Sequence, residues 1–139
     1  GTSRVLKGTA LILPILERLQ YEGIITLDLM ESLPPNEVMQ RRALAHVHVD
    51  QMSEEVGGFG QSAIEAMGCG NTVLADLRHV GTLRPPITDV RDARELEEWL
   101  RLLAAQPDTL HRHRTEALEW SRMHSSPAAV AAYWVKALA

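Results

Sequence analysis

The stretch that most constrains this chain is residues 49–70, VDQMSEEVGGFGQSAIEAMGCG, in which a short apolar strand is followed by a glycine-rich turn and then by a helix. Gly57, Gly58 and Gly60 lack a Cβ, so the backbone there can adopt positive φ angles and approach a ligand closely. The following helix presents unpaired N–H groups and the positive end of its dipole, which favour an anion. Glu65, about one turn into this helix, has a carboxylate that can accept hydrogen bonds from ribose hydroxyls. The pattern favours a nucleotide site.

A glycine-rich turn between strand and helix is a weak signal by itself. The sequence GGFG at residues 57–60 matches neither the dinucleotide fingerprint G-x-G-x-x-G nor the P-loop, which requires G-K-[ST]. A tight turn that packs a helix on a sheet explains these glycines equally well. The residues alone therefore leave both interpretations open.

The longer segment GGFGQSAIEAMGCGNTVLADL, residues 57–77, resembles the signature of the C-terminal domain of GT-B-fold glycosyltransferases, family 4 in particular. In that family G-F-G, four residues, E-A-M and then C-G before a strand occur in this order. The resemblance extends over nearly the whole chain. It implies a donor-binding domain, the half of a glycosyltransferase that binds a nucleotide-diphosphate sugar.

The segment RVLKG at residues 4–8 is similar to the family's R-x-x-K-G segment, whose arginine and lysine contact the diphosphate of the donor. Transferred to this chain, the resemblance assigns Arg4 and Lys7 to the diphosphate and Glu65 to the ribose. It assigns to the sugar and phosphate the backbone of Gly58, Phe59 and Gly60.

One position departs from the family pattern. The family carries a second glutamate eight residues before the E of E-A-M, where it contacts the transferred sugar, and this chain has Gly57 there. Glu54 or Glu55 can replace it through a shift of the loop, and a subfamily with D-Q and a glycine at this point also exists. Gly57 is therefore assigned to the sugar end of the site, and the identity of the sugar stays open.

Length and charge limit the classes of protein to consider. The chain has 139 residues, enough for one domain that buries roughly two-thirds of its unfolded surface. We take residues 1–139 as one nucleotide-sugar-binding domain of a two-domain enzyme. The formal net charge of −4 argues against nucleic acid and membrane surfaces as partners.

No apolar run approaches the roughly 18 residues of a membrane span, and the N-terminus has no signal-peptide pattern. The expected location is therefore cytoplasmic. Cys69 is the single cysteine, which excludes an intrachain disulfide and predicts a small buried side chain.

Hydrophobic periodicity predicts alternating helices and strands. We expect helices at residues 9–22, 35–44, 92–105, 107–123 and 126–138 and directly after Gly60, and strands at residues 24–30, 45–49 and 71–75, with a short extended piece around Ile87 and Thr88. Gly23 is expected to end the first helix, and Pro14 removes one hydrogen bond inside it. The fold class is α/β: a Rossmann-like parallel sheet flanked by helices, with a helical C-terminus, as in the C-terminal half of a GT-B fold.

The predicted sheet lacks one strand that the family has. The R-x-x-K-G segment normally follows the first strand of the domain, which lies at the centre of the sheet, yet three residues precede Arg4. The alternatives are a fragment of a longer enzyme, a partner that donates the strand, and a rearranged sheet. Unpaired backbone groups and an open apolar slot would result, so we expect marginal autonomy or association, including a homo-oligomer.

Further candidates lie at the carboxyl ends of the strands, where ligands of open α/β sheets bind. Asp50 is expected to orient the glycine loop, and Glu31 to lie where the family's nucleobase binds. His46, His48 and Asp50 alternate along one strand and share a face, but no further ligand at suitable spacing is visible. We therefore expect packing or hydrogen bonding for these three rather than a metal site.

The expected function is binding of a UDP- or GDP-linked sugar for transfer to an acceptor hydroxyl. Arg4, Lys7 and the helix N-terminus would stabilise the diphosphate leaving group, and the resemblance implies no metal or other cofactor. Catalytic residues and the acceptor site belong to an N-terminal domain, so this chain alone is expected to bind without turnover. The alternative is a non-catalytic, degenerate glycosyltransferase-like scaffold or assembly module; a sugar-nucleotide epimerase of related fold is disfavoured by the C-terminal signature.

Overall fold

The computed structural model describes residues 9–50, 61–78, 80 and 85–124, which form an α/β fold with a three-stranded parallel sheet flanked by five helices. In chain order the elements are α1 (Thr9–Tyr21), α2 (Pro35–Leu44), β1 (Val47–Val49), α3 (Gln61–Gly68), β2 (Thr72–Ala75), β3 (Thr88–Asp89), α4 (Ala93–Ala105) and α5 (Pro107–His124). The arrangement is Rossmann-like.

The sheet has the order β1-β2-β3, and both strand pairs are parallel. Val49 pairs with Leu74, and Leu74 pairs with Thr88. All four residues of β2 are buried, as expected for a central parallel strand covered on both faces. The carboxyl ends of the three strands therefore meet at one edge of the sheet.

Alternate residues of β2 divide the core into two layers. Leu74 packs in a cluster with Leu16 of α1 and Leu96 of α4. Val73 packs in a second cluster with Met67 of α3 and Ala117 of α5. Helices α1 and α4 thus cover one face of the sheet, and α3 and α5 cover the other.

Sequence signals at the helix ends explain where the helices begin and end. Gly23 has a φ of +77°, and the amide of Ile24 donates to the carbonyl of Leu19 at 2.9 Å, which is the Schellman ending of α1. Asp92 caps α4, because its carboxylate accepts from the amide of Glu95 at 2.8 Å. Pro14 lies inside α1 on its exposed side, and the helix continues through it.

Most predicted elements are confirmed to within two residues at each end. The predicted strand at residues 24–30 is wrong, because this segment has no regular secondary structure. An apolar, β-rich composition describes a preference of the chain, whereas a strand also requires a neighbour that pairs with its backbone. The predicted helix at residues 126–138 lies outside the described residues.

Candidate functional site

Ser62 in the first turn of α3 and Asp50 at the carboxyl end of β1 line the same cavity. Asp50, which directly follows β1, is buried, and its amide donates to the carbonyl of Leu74 in β2 at 2.9 Å. Helix α3 begins at Gln61 on the face opposite α1. The predicted phosphate and sugar contacts are outside the described residues: Arg4, Lys7, Gly57, Gly58, Phe59 and Gly60.

A cavity of about 420 Å³ lies between α2 and the first turn of α3. We call it the α2–α3 pocket. Its volume is in the range of small-molecule sites. One wall is mostly apolar and the other is polar; the lining residues are Leu33, Pro35, Val38, Met39, Arg42, Gln61, Ser62 and Glu65.

Glu65 projects from α3 into the polar wall of this pocket. Its Oε1 accepts a hydrogen bond from Gln61 Nε2 at 3.2 Å, and its Oε2 forms an ion pair with Nη1 of Arg42. The side chain is 39% exposed. Because each carboxylate oxygen has two lone pairs, Glu65 retains capacity to accept hydrogen bonds from a ligand.

Arg42 is the site residue that the sequence analysis missed. Its side chain is 7% exposed, and Nη1 also lies 3.6 Å from Sδ of Met39. The available signal was helical phase, since Arg42 follows Val38 by four residues and therefore shares its inward face.

Two other predicted contacts do not reach the α2–α3 pocket. Glu31 is exposed and is followed by Ser32, whose φ is +53°. Asp50 lines a second cavity, which shares Val38, Arg42 and Ser62 with the α2–α3 pocket. Glu65 is therefore the described member of the predicted set that lines this pocket.

His48 lies within β1, and His46 and Asp50 flank the strand. Nε2 of His48 lies 3.7 Å from Oδ1 of Asp50, and His46 is exposed. Within residues 9–50, 61–78, 80 and 85–124, no group of three or more His, Cys, Asp or Glu side chains is placed to hold a metal ion. Cys69 is a half-buried thiol.

Two carboxylates, one directly after β2 and one within β3, pair with groups of the chain. Asp76 is fully buried, and its Oδ2 lies 3.0 Å from Nε of Arg78. Asp89 accepts from the amide of Leu77 at 2.9 Å and pairs with Arg91 at 3.1 Å. These pairs offset the negative charge of the two carboxylates at this edge of the sheet.

Comparison of the chain with models of protein families, with curated proteins and with solved structures finds no match. Among the helices that the structure describes, none is long and apolar enough to cross a membrane.

Proposed function

We propose that this chain is the donor-binding domain of a glycosyltransferase and binds a nucleotide-diphosphate sugar carrying UDP or GDP. The observation that supports this most is the α2–α3 pocket, which combines an apolar wall with Glu65 in the first turns of α3. An apolar wall suits the flat face of a nucleobase, and a carboxylate suits the paired hydroxyls of a ribose.

In this proposal the base lies against Leu33 and Met39, and the ribose hydroxyls donate to Glu65. The diphosphate lies at the N-terminus of α3, with Arg4 and Lys7 as cations and the backbone of residues 57–60 as the source of N–H donors. The helix dipole contributes roughly 0.3–1 kcal/mol to binding of the anion. The two cations therefore supply most of the charge stabilisation.

The chemical role follows from where charge develops. As the bond between sugar and phosphate breaks, negative charge grows on the diphosphate, and Arg4, Lys7 and the N-terminus of α3 stabilise it. The acceptor and its base belong to another domain in enzymes that this chain resembles. The chain is therefore proposed to bind the donor without turning it over.

Calorimetric titration with UDP, GDP and the two nucleosides tests the proposal. One nucleoside diphosphate should bind, and Lys7→Ala should weaken it much more than it weakens the nucleoside. Arg94→Ala, at an 81% exposed side chain of α4, is the matched loss of a positive charge and should leave both affinities unchanged. A folded sample that binds neither diphosphate contradicts the proposal.

Glu65 also pairs with Arg42, so substituting Glu65 alone changes the protein as well as the proposed ribose contact. The test therefore changes the ligand. Removing the 2′ and 3′ hydroxyls from the nucleoside diphosphate should weaken binding to the unchanged protein. The same removal should have little effect on the Glu65→Gln variant. Equal losses in the two proteins would exclude Glu65 as the ribose contact.

A second candidate is a non-catalytic scaffold derived from such a domain. It is favoured by the pairing of both Glu65 oxygens within the protein and by glycine instead of glutamate at position 57. The titration separates the candidates, since a scaffold that has lost donor binding gives no heat with either diphosphate.

A further inference from the structure

Arg42, near the end of α2, is fixed through both its backbone and its side chain. Its carbonyl accepts hydrogen bonds from Nδ2 of the buried Asn71 at 2.9 Å and from the amide of Ala45 at 3.1 Å. Its side chain is 7% exposed and pairs with Glu65. Within the described part of the chain, Glu65 is the only carboxylate that pairs with Arg42. The pair is therefore expected to persist when a ligand binds, because separation would leave a buried cation without an anion.

Glu65 is held through both of its carboxylate oxygens. Arg42 of α2 donates to Oε2, and Gln61, one turn earlier in α3, donates to Oε1 at 3.2 Å. Because the two donors come from different helices, together they fix both the direction and the rotation of the carboxylate group. A glutamate that is 39% exposed would otherwise sample several rotamers, and a ligand would have to order it. Each oxygen has a second lone pair with which it can accept a hydrogen bond from a ligand.

We propose that Arg42 is a positioning residue, which holds the carboxylate of Glu65 in the orientation that accepts the ribose hydroxyls of the nucleotide. This inference rests on the proposed function and assigns to Arg42 no contact with the ligand itself. Ordering one long side chain on binding weakens affinity by about two- to tenfold. Since Arg42 orders Glu65 before the ligand arrives, its loss should reduce the contribution of the ribose hydroxyls by a factor in that range.

A purely structural role of the pair, as a link between α2 and α3, predicts a different result. Loss of such a link would alter the shape of the α2–α3 pocket and weaken every ligand that occupies it. Loss of a positioning contact weakens only the ligands that carry the ribose hydroxyls. A comparison of ribose with 2′,3′-dideoxyribose ligands therefore separates the two roles.

Calorimetric titration of the chain with UDP and GDP, and with the 2′,3′-dideoxy form of each, measures the hydroxyl contribution as the ratio of two Kd values. Arg42→Met should reduce this ratio by about two- to tenfold and leave the Kd of the dideoxy form nearly unchanged. Arg42→Lys keeps a positive charge and an N–H donor, without the planar fork of the guanidinium, and should retain more of the ratio.

Arg41→Met is the matched control. Arg41 precedes Arg42 in the same helix, pairs with Asp28 at 2.9 Å and with Glu37 at 3.5 Å, and does not line the α2–α3 pocket. This variant loses the same charge from the same turn of α2 and should leave the ratio unchanged.

NMR gives a second readout that needs no ligand. Scalar couplings to Cγ of Glu65 report whether its χ1 angle has one value or is an average of several. The unchanged protein and Arg41→Met should show one χ1 rotamer, and the Arg42 variants should show averaging, more of it in Arg42→Met. Amide spectra check that each variant is folded, and Arg42→Lys carries the test if Arg42→Met is unfolded.

The positioning role is overturned if the Kd ratio is the same in the unchanged protein and in the folded Arg42 variants, or if both ligand forms weaken equally. A larger ratio in Arg42→Met also overturns it, since Arg42 would then compete with the ribose for Glu65. Averaged couplings in the unchanged protein have the same consequence. In all of these outcomes UDP or GDP still binds the unchanged protein. If neither binds it, the donor-binding proposal fails and the positioning role fails with it.

Discussion

Arg42, buried at the end of α2, forms an ion pair with Glu65 in the middle of α3. The pair links α2, which leads into β1, to α3, which leads into β2. Both side chains line the α2–α3 pocket. The two partners differ in exposure, 7% for Arg42 and 39% for Glu65. Loss of Glu65 therefore leaves a buried cation, whereas loss of Arg42 leaves a carboxylate that water can reach.

The first prediction concerns this asymmetry. Glu65→Ala should lower the free energy of unfolding by about 1–3 kcal/mol, because the Arg42 guanidinium loses its charged partner. The control Glu37→Ala breaks an exposed pair with Arg41 at 3.5 Å and should cost about 0.5 kcal/mol or less. Urea denaturation measures both.

Arg42→Met completes a double-mutant cycle. Adding it to Glu65→Ala should recover part of the lost stability, since no buried charge then remains. Additive losses would show that the pair contributes nothing beyond packing.

The second prediction concerns Asn71, which is fully buried between α3 and β2. Its Nδ2 donates to the carbonyls of Arg42 and Ala45, each at 2.9 Å, and so fixes the end of α2 to the start of β2. Asn71→Leu should lower the free energy of unfolding by about 1–3 kcal/mol, because the Ala45 carbonyl loses this donor and the Arg42 carbonyl is left with the amide of Ala45.

Thr72→Val is the matched control, since the neighbouring Thr72 Oγ1 is buried with no hydrogen bond among the described residues. Removing that hydroxyl should be neutral or stabilising. If Thr72→Val lowered the free energy of unfolding as much as Asn71→Leu, side-chain packing rather than hydrogen bonding would determine stability at these two positions.

Local chemistry made much of the fold predictable from sequence. Pro35 at a helix start, Gly23 at a helix end and the apolar stripe of α4 each specify an element through contacts within a few residues. Residues 24–30 could not be predicted this way, because an apolar, β-rich composition does not specify a pairing partner for the backbone. Arg42 was missed for a similar reason: its burial depends on Glu65, twenty-three positions away. Glu65 was selected from the sequence both by its place one turn into the helix that follows the glycine-rich turn and by the motif resemblance.

The third prediction uses the turn between α3 and β2. Gly70 has a φ of +76°, and a Cβ added there meets no atom within 4 Å. Gly70→Ala should therefore cost about 1–2 kcal/mol through backbone conformation alone. Gly68 has no positive φ, and a Cβ added there would lie 3.3 Å from Ser121 Oγ. Gly68→Ala is therefore the control. It should change stability much less, and equal losses in thermal unfolding would contradict the conformational explanation.

The last prediction concerns a closed ring of four charged side chains between α1 and α4. Arg18 pairs with Glu22 at 3.6 Å and with Glu97, and Arg101 pairs with Glu22 at 2.6 Å and with Glu97 at 3.3 Å. The hydrogen bond from Arg18, assisted by Arg101, holds the pKa of Glu97 below its ordinary value. Both glutamates thus bridge two arginines.

Because the folded pKa of Glu97 is lowered, its stabilising effect is fully present above the unfolded pKa and is lost as the pH falls through the folded one. Glu97→Gln should therefore lower the Tm at pH 7 and have little effect in strong acid. High salt should reduce the difference in Tm at pH 7, since these groups are partly exposed to solvent. Glu98→Gln, which removes a single exposed pair with Arg94 at 3.7 Å, should lower the Tm less. A loss for Glu97→Gln that persists unchanged from neutral to acidic pH would show that its charge plays no part.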